Sequence, residues 1–241
     1  MRPSAEIDFR WRVSPRELPE LMDGDCTYED FRGCLRSLEQ VNRWLLGYRP
    51  TLAWLKRLPY EPHEPVHIVD VGSGGGGLLR QVARWVRRRG ISVQLTGIDL
   101  NPYAARAAVE FTPSKLGITW VTGDALAYRP EKPVDIVAST LTAHHLEDEE
   151  IVALLRWMEA TARVGWFMND LERSERSCRM FRWVAGVAGW HRFVRHDGPV
   201  SFRRAFRKED WLRLLAAAEV PRDAVTVEHW RPGRLCVGRW K

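Results

Sequence analysis

The stretch VDVGSGGGGLLRQ, residues 69–81, constrains this chain more than any other. A short apolar run and a helical pattern are joined by six residues, Gly72 to Gly77, of which only Ser73 has a side chain beyond hydrogen. Such a turn lets the backbone come very close to something, and it reads either as a ligand cradle or as a sharp corner. Gly72, Gly74 and Gly77 satisfy the GxGxxG spacing of dinucleotide sites. Gly72, Gly74 and Gly76 equally satisfy a GxGxG spacing, so the glycines alone do not choose the ligand.

The surroundings fix the fold class. Strand patterns at 66–71, 93–98, 119–122, 134–140 and 166–169 alternate with helical patterns at 77–89, 103–111 and 147–163. Repeated strand-helix units of this length predict a parallel sheet with helices on both faces. Gly90 is expected to stop one helix and Gly165 another. A helix at 208–218 and two strands at 224–229 and 234–239 complete the pattern. Before it, residues 1–25 read as an irregular lead-in. Thr27 and Asp30 form a capping pair for a helix carrying Phe31, Leu35, Leu38, Val41 and Leu45 on one face. A second helical piece at 50–58 runs into the proline-rich linker PYEPHEP. The organisation is therefore an N-terminal helical extension or lid over 1–60 and a main domain over 61–241. An insertion at about 174–206 includes a turn at His196-Asp197-Gly198-Pro199.

Three aspartates refine the ligand. Asp70 ends the first strand beside the glycine turn, where a carboxylate repels a pyrophosphate but suits a cation. Asp99, in GIDLNP, can accept two ribose hydroxyls, a feature shared with dinucleotide enzymes. Asp124, in TGDA, can accept an adenine amino group at the end of the third strand.

With VDVGSGGG, GIDLNP, TGDAL and VDIVASTLTAHHLED in place, the sequence resembles the class I S-adenosylmethionine-dependent methyltransferases over roughly Val66 to Asn169. The group in question includes the quinone C-methyltransferases. The resemblance implies a Rossmann-like α/β fold with a seven-stranded, mostly parallel sheet, and S-adenosylmethionine across the carboxyl ends of the first strands. Its cofactor residues would be Asp70, Gly72, Ser73, Gly74, Asp99, Leu100, Asp124 and Ala125, with Thr140 at a position usually held by asparagine. Arg49 would reach the cofactor carboxylate from the N-terminal helices. ELMD at 20–23, LEQVNRWLLGYR, NDLERS and HDGPVSFRRAF are similar to small-molecule methyltransferases found beside bacterial type III polyketide synthases. That narrower likeness implies O-methylation of a hydrophobic, phenolic or polyketide-like acceptor.

For catalysis, His145 follows the fourth strand at the edge where the methyl group belongs, and it is the candidate base; holding the loop is its alternative role. Asp170, after the fifth strand, can orient or deprotonate a hydroxyl, or merely cap a helix. His144, Asn169, Arg173, His191 and Ser201 are expected to line the acceptor site. MFRWVAGVAGWHRF reads as an aromatic cap wall over that site, with transient membrane contact as the lesser alternative.

Composition narrows the remaining classes. No run approaches eighteen apolar residues and the first twenty lack a signal-peptide core, which predicts a cytoplasmic protein without a transmembrane segment. The four cysteines have no CxxC pairing, and no metal-ligand spacing is predicted. A net charge of +6 raises the alternative of an RNA methyltransferase, yet no RNA-binding appendage and no NPPY or DPPY signature is present. A non-enzymatic S-adenosylmethionine-binding module is the other alternative. The sequence does not determine the oligomeric state.

Overall fold

A computed structural model describes residues 9–58 and 65–241. The boundary at 60/61 and most of the PYEPHEP linker lie outside the described residues. Seven strands form one sheet: β1 (Val66–Val71), β2 (Val93–Asp99), β3 (Ile118–Thr122), β4 (Val134–Thr140), β5 (Ala162–Leu171), β6 (Thr226–Trp230) and β7 (Arg234–Trp240). Their order is β3-β2-β1-β4-β5-β7-β6, parallel from β3 to β5, with β7 antiparallel to both β5 and β6. Because β1 to β5 run the same way, every loop that follows one of them emerges at the same edge of the sheet.

Side-chain alternation along the strands builds two cores. On one face Val69, Val71 and Val137 pack with α5 (Asp148–Thr161) and α8 (Lys208–Ala217) around the fully buried Trp166 and Trp211. On the other, Ile68, Leu95, Ile136 and Phe167 pack with α2 (Arg49–Leu55) and α3 (Gly77–Arg87). Each buried tryptophan removes roughly 200 Å² from water, a gross contribution of about 5 kcal/mol before ordering entropy is subtracted.

A third layer covers the carboxyl edge. In it α1 (Tyr28–Trp44), α6 (Glu175–Ala188) and α7 (Arg192–Arg204) share a cluster of Cys34, Val41, Phe181, Trp190, Phe193 and Phe202. Thr27 caps α1 by accepting the Asp30 N–H at 3.2 Å. On its other flank α1 meets α4 (Pro102–Phe111) through Phe31, Leu35, Ala104 and Ala107.

Two local expectations are corrected. The residues His196 to Pro199 lie within α7 and do not form a turn. Each turn-like residue there answers a tertiary demand: Asp197 accepts the N–H groups of Leu21 and Met22, and a Cβ on Gly198 would lie 2.0 Å from the Phe181 ring. Gly165 does not stop a helix; α5 ends at Thr161 and β5 already begins at Ala162, paired with Val134. Glycine is needed at 165 because a Cβ would meet the Arg239 carbonyl at 2.5 Å across the β5–β7 pair.

Candidate active site

The glycine turn has the geometry its composition suggests. Gly72 has φ +69° and its missing Cβ would sit 2.2 Å from Thr142 Oγ1; Gly76 has φ +76° with Trp120 at 2.3 Å. No other residue type fits either place. The turn is pinned to β2: Gly72 and Ser73 donate to the Ile98 carbonyl, and Gly74 N–H donates to Asp99 Oδ2 at 2.8 Å. Asp99 Oδ1 accepts from Asn101, so this carboxylate organises two loops at once.

These loops border a cavity of about 1100 Å³ at the carboxyl edge. Asp70, Gly72, Ser73, Gly74, Asp99, Leu100, Asp124, Ala125 and Thr140 all line it, as does His145. Asp70 is 2% exposed and its Oδ1 has no hydrogen-bond partner, although the atom is buried. Burial, reinforced by the Asp99 charge, pushes its pKa well above the usual carboxylate range. An unpartnered buried carboxylate in a cavity wall fits a cationic ligand group. Leu100 is 74% exposed at the same cavity, an apolar surface that a flat ring can cover.

Arg49 lies elsewhere. It is exposed, its guanidinium sits over the Trp230 ring 6.0 Å away, and it does not line the cavity. Trp230 belongs to β6 at the edge of the sheet, so the expected reach of Arg49 to a cofactor carboxylate is corrected. The arginines that do line the cavity are Arg16, Arg80 and Arg204.

The N-terminal segment builds much of the cavity wall: Met22, Asp23, Asp25 and Cys26, together with Phe31, Leu35 and Leu38 of α1 and Tyr48, line it, and Leu35 and Tyr48 pack on the glycine turn itself. Of the 174–206 insertion only Arg204 lines the cavity. The expected cap wall is therefore corrected: α6 and α7 stand behind the N-terminal segment, and Met180, Trp183 and Val187 of α6 face solvent. Arg204, fully buried, ties that segment down through the carbonyls of Leu18 and Pro15 and through Asp23.

His145 is the one imidazole lining the cavity among the described residues. Its Nδ1 lies 2.9 Å from Asp23 Oδ1. Burial alone would lower its pKa, but Glu20 and Asp23 outweigh that and raise it to about 9. His145 therefore carries a proton at neutral pH and acts as a donor. His144 Nδ1 donates to Asp170 Oδ1 at 2.7 Å, a carboxylate that also accepts from Leu171 N. Burial would raise the Asp170 pKa, but His144 and that backbone bond hold it below the usual range.

The other expected acceptor residues do not line the cavity, and each has a structural partner. Asn169 donates to the Gly47 carbonyl and to Thr51, and Arg173 binds the Phe9 and Ala205 carbonyls and Asp210. His191 caps α7 through Phe193 N, and Ser201 donates to Glu20 at 2.7 Å. Sequence reasoning missed Tyr48, Arg80 and Phe111 as cavity residues. It also gave no role to Glu20, Asp23 and Arg204, although ELMD and SFRRAF were two of the stretches carrying the narrower resemblance.

Comparison with known proteins agrees with this geometry. Residues 68–165 match the family model described as "Methyltransferase domain". Over residues 68–165 the chain thus matches a methyltransferase domain, and its fold is one shared with solved methyltransferases. Among curated proteins it is similar to a trans-aconitate 2-methyltransferase of Streptomyces avermitilis, 29% identical over 168 residues, or 66% of this chain and 60% of that one. A trans-aconitate 2-methyltransferase of Streptomyces coelicolor is 26% identical over 204 residues, covering 80% and 64%. The chain therefore spans less than two thirds of the length of these relatives. In fold it resembles the plantazolicin methyltransferase BpumL bound to a desmethylPZN analog and SAH, with TM-score 0.57, 14% identity and coverage of 86% and 85%. It also resembles the magnesium protoporphyrin IX methyltransferase ChlM of Synechocystis PCC 6803 with bound SAH, with TM-score 0.54, 15% identity and coverage of 91% and 90%.

Proposed function

We propose that this protein transfers a methyl group from S-adenosylmethionine to oxygen on a small, largely apolar acceptor of phenolic or polyketide-like type. One observation carries the reading: a single cavity joins the unpartnered Asp70 to an apolar wall of Met22, Cys26, Phe31, Leu35 and Leu38, with His145 on the same surface. The donor supplies a methyl group on a sulfonium, and the acceptor oxygen, bound as the phenolate after its proton has passed to solvent, takes that methyl as the carbon–sulfur bond breaks and S-adenosylhomocysteine leaves. Asp70 balances the donor's positive charge, the Gly72–Gly74 backbone approaches its methionine part, and Asp99 accepts from the ribose. Leu100 and Ala125 pack on the adenine, and Asp124 accepts its amino group. The N-terminal segment excludes water, and His145, held by Asp23, meets the acceptor oxygen.

The charge of the cavity wall as a whole also argues against a polyanion. Asp23, Asp25, Glu39, Glu147 and Glu150 line the cavity against Arg16, Arg80 and Arg204, and Glu39 already pairs with Arg80 at 2.9 Å. That surround is poor for a tricarboxylate such as trans-aconitate, and poorer for RNA. Labelled-methyl transfer to phenols, polyketide products, trans-aconitate and RNA tests the proposal. Phenols or polyketides should be methylated fastest; preference for trans-aconitate or RNA would overturn it. Binding of S-adenosylhomocysteine with no transfer to any acceptor would favour a non-enzymatic module.

A further inference from the structure

Two imidazoles converge on one carboxylate beside the acceptor cavity. His144 Nε2 lies 3.9 Å from Glu20 Oε1, and His145 Nε2 lies 3.9 Å from Glu20 Oε2. These gaps are too long for hydrogen bonds. They lie about 0.5 Å above the roughly 3.4 Å ligand–ligand edge of a tetrahedral site with bonds of about 2.1 Å. One ligand atom from each of Glu20, His144 and His145 lies within 4.8 Å of the others.

We propose that Glu20, His144 and His145 form a site for a divalent first-row transition ion, of the zinc or cobalt type. Both imidazoles are already oriented for it. Each is anchored at Nδ1 by a carboxylate, Asp170 at 2.7 Å for His144 and Asp23 at 2.9 Å for His145, which leaves Nε2 free to point inward. An outer carboxylate on the far ring nitrogen fixes the ring and raises ligand basicity in metal sites. Glu20 is equally fixed: Ser201 donates to its Oε1 at 2.7 Å and Arg204 lies 3.2 Å from the same oxygen. Oε2 is left with His145 Nε2 as its neighbour.

Glu20 and Asp23 share one guanidinium, Arg204, which lies 3.2 Å from Glu20 Oε1 and 3.0 Å from Asp23 Oδ2. Two histidines and a carboxylate are a nitrogen and oxygen donor set suited to zinc, cobalt or iron, not to calcium. Three protein ligands leave an open position, and the site reaches the cavity through His145. Where the methyl-transfer proposal holds, an acceptor hydroxyl on that position would give up its proton to solvent more readily before its oxygen takes the methyl group.

The test uses cobalt as a spectroscopic probe and needs no acceptor, so it stands apart from the methyl-transfer assay. Chelator-stripped full-length protein titrated with Co²⁺ should develop visible d–d bands that saturate at one ion per chain, and Zn²⁺ should erase them. Glu20→Gln should weaken Co²⁺ at least tenfold. Asp170→Asn should weaken it about 10–100-fold by releasing the His144 ring. Should Glu20→Gln melt at a much lower temperature than the wild type, His145→Gln replaces it, because His145 is partly exposed to the cavity. Absence of saturable bands in the wild type, or bands unchanged in a folded ligand variant, would overturn the site.

Discussion

Asp23 Oδ1 sits 2.9 Å from His145 Nδ1, although 122 residues separate the two. The contact joins the N-terminal segment to the loop after β4 and fixes the ring that faces the acceptor cavity. Asp23→Ala should therefore leave S-adenosylhomocysteine affinity within about twofold while lowering kcat by roughly 10²-fold, the usual scale for a mispositioned group. Calorimetry and steady-state kinetics on the same preparation separate the two effects. A parallel loss of cofactor affinity would place Asp23 in the donor site instead.

Asp70 links stability to ligand binding. Its raised pKa means the native state holds a proton that the unfolded chain has lost, so stability falls as pH rises from the usual carboxylate range through the raised value. Asp70→Asn should flatten that dependence and raise the neutral-pH melting temperature by a few degrees. It should also weaken S-adenosylmethionine at least tenfold, since the carboxylate that balances the sulfonium is gone. Wild-type binding should release a proton, read by calorimetry in buffers of different ionisation enthalpy.

Gly72→Ala should destabilise the fold by about 1–3 kcal/mol, because φ +69° and the Thr142 contact at 2.2 Å both oppose a Cβ. Urea unfolding measures this. Cofactor affinity should fall with it, as the turn shifts away from the cavity.

Arg204→Met should cost about 3–5 kcal/mol, since Glu20 and Asp23 would lose their buried counter-charge and two carbonyls of the N-terminal segment their donor. For a chain of this size that is a fall of roughly 6–20 °C in melting temperature. Arg204→Lys should recover only part, because an ammonium does not reproduce the guanidinium fork.

The part of the cavity around the glycine turn was legible because its signals are local. Asp70, the glycines, Asp99 and Asp124 each sit at or just past the end of a strand whose period is plain, and parallel topology brings those ends to one edge. The part built around the lead-in segment was not. Glu20, Asp23 and Arg204 are ordinary residues in polar surroundings until the lead-in folds back on α7. Their roles come from contacts spanning 181 residues, such as Arg204 to Asp23, for which no spacing rule exists. The HDGP stretch failed for the same reason: Asp197 and Gly198 answer to Leu21, Met22 and Phe181, and those partners override the local preference for a turn.

The sequence by itself determined the alternation of strands and helices, the glycine turn and the aspartates at the strand ends beside it, since periodicity and backbone sterics act over a few residues. Only the tertiary structure decided which segment roofs the cavity, which arginines reach it, and that Glu20, His144 and His145 face one another. Those depend on how separate elements dock, and burial and charge pairing settle that only once the chain has closed on itself.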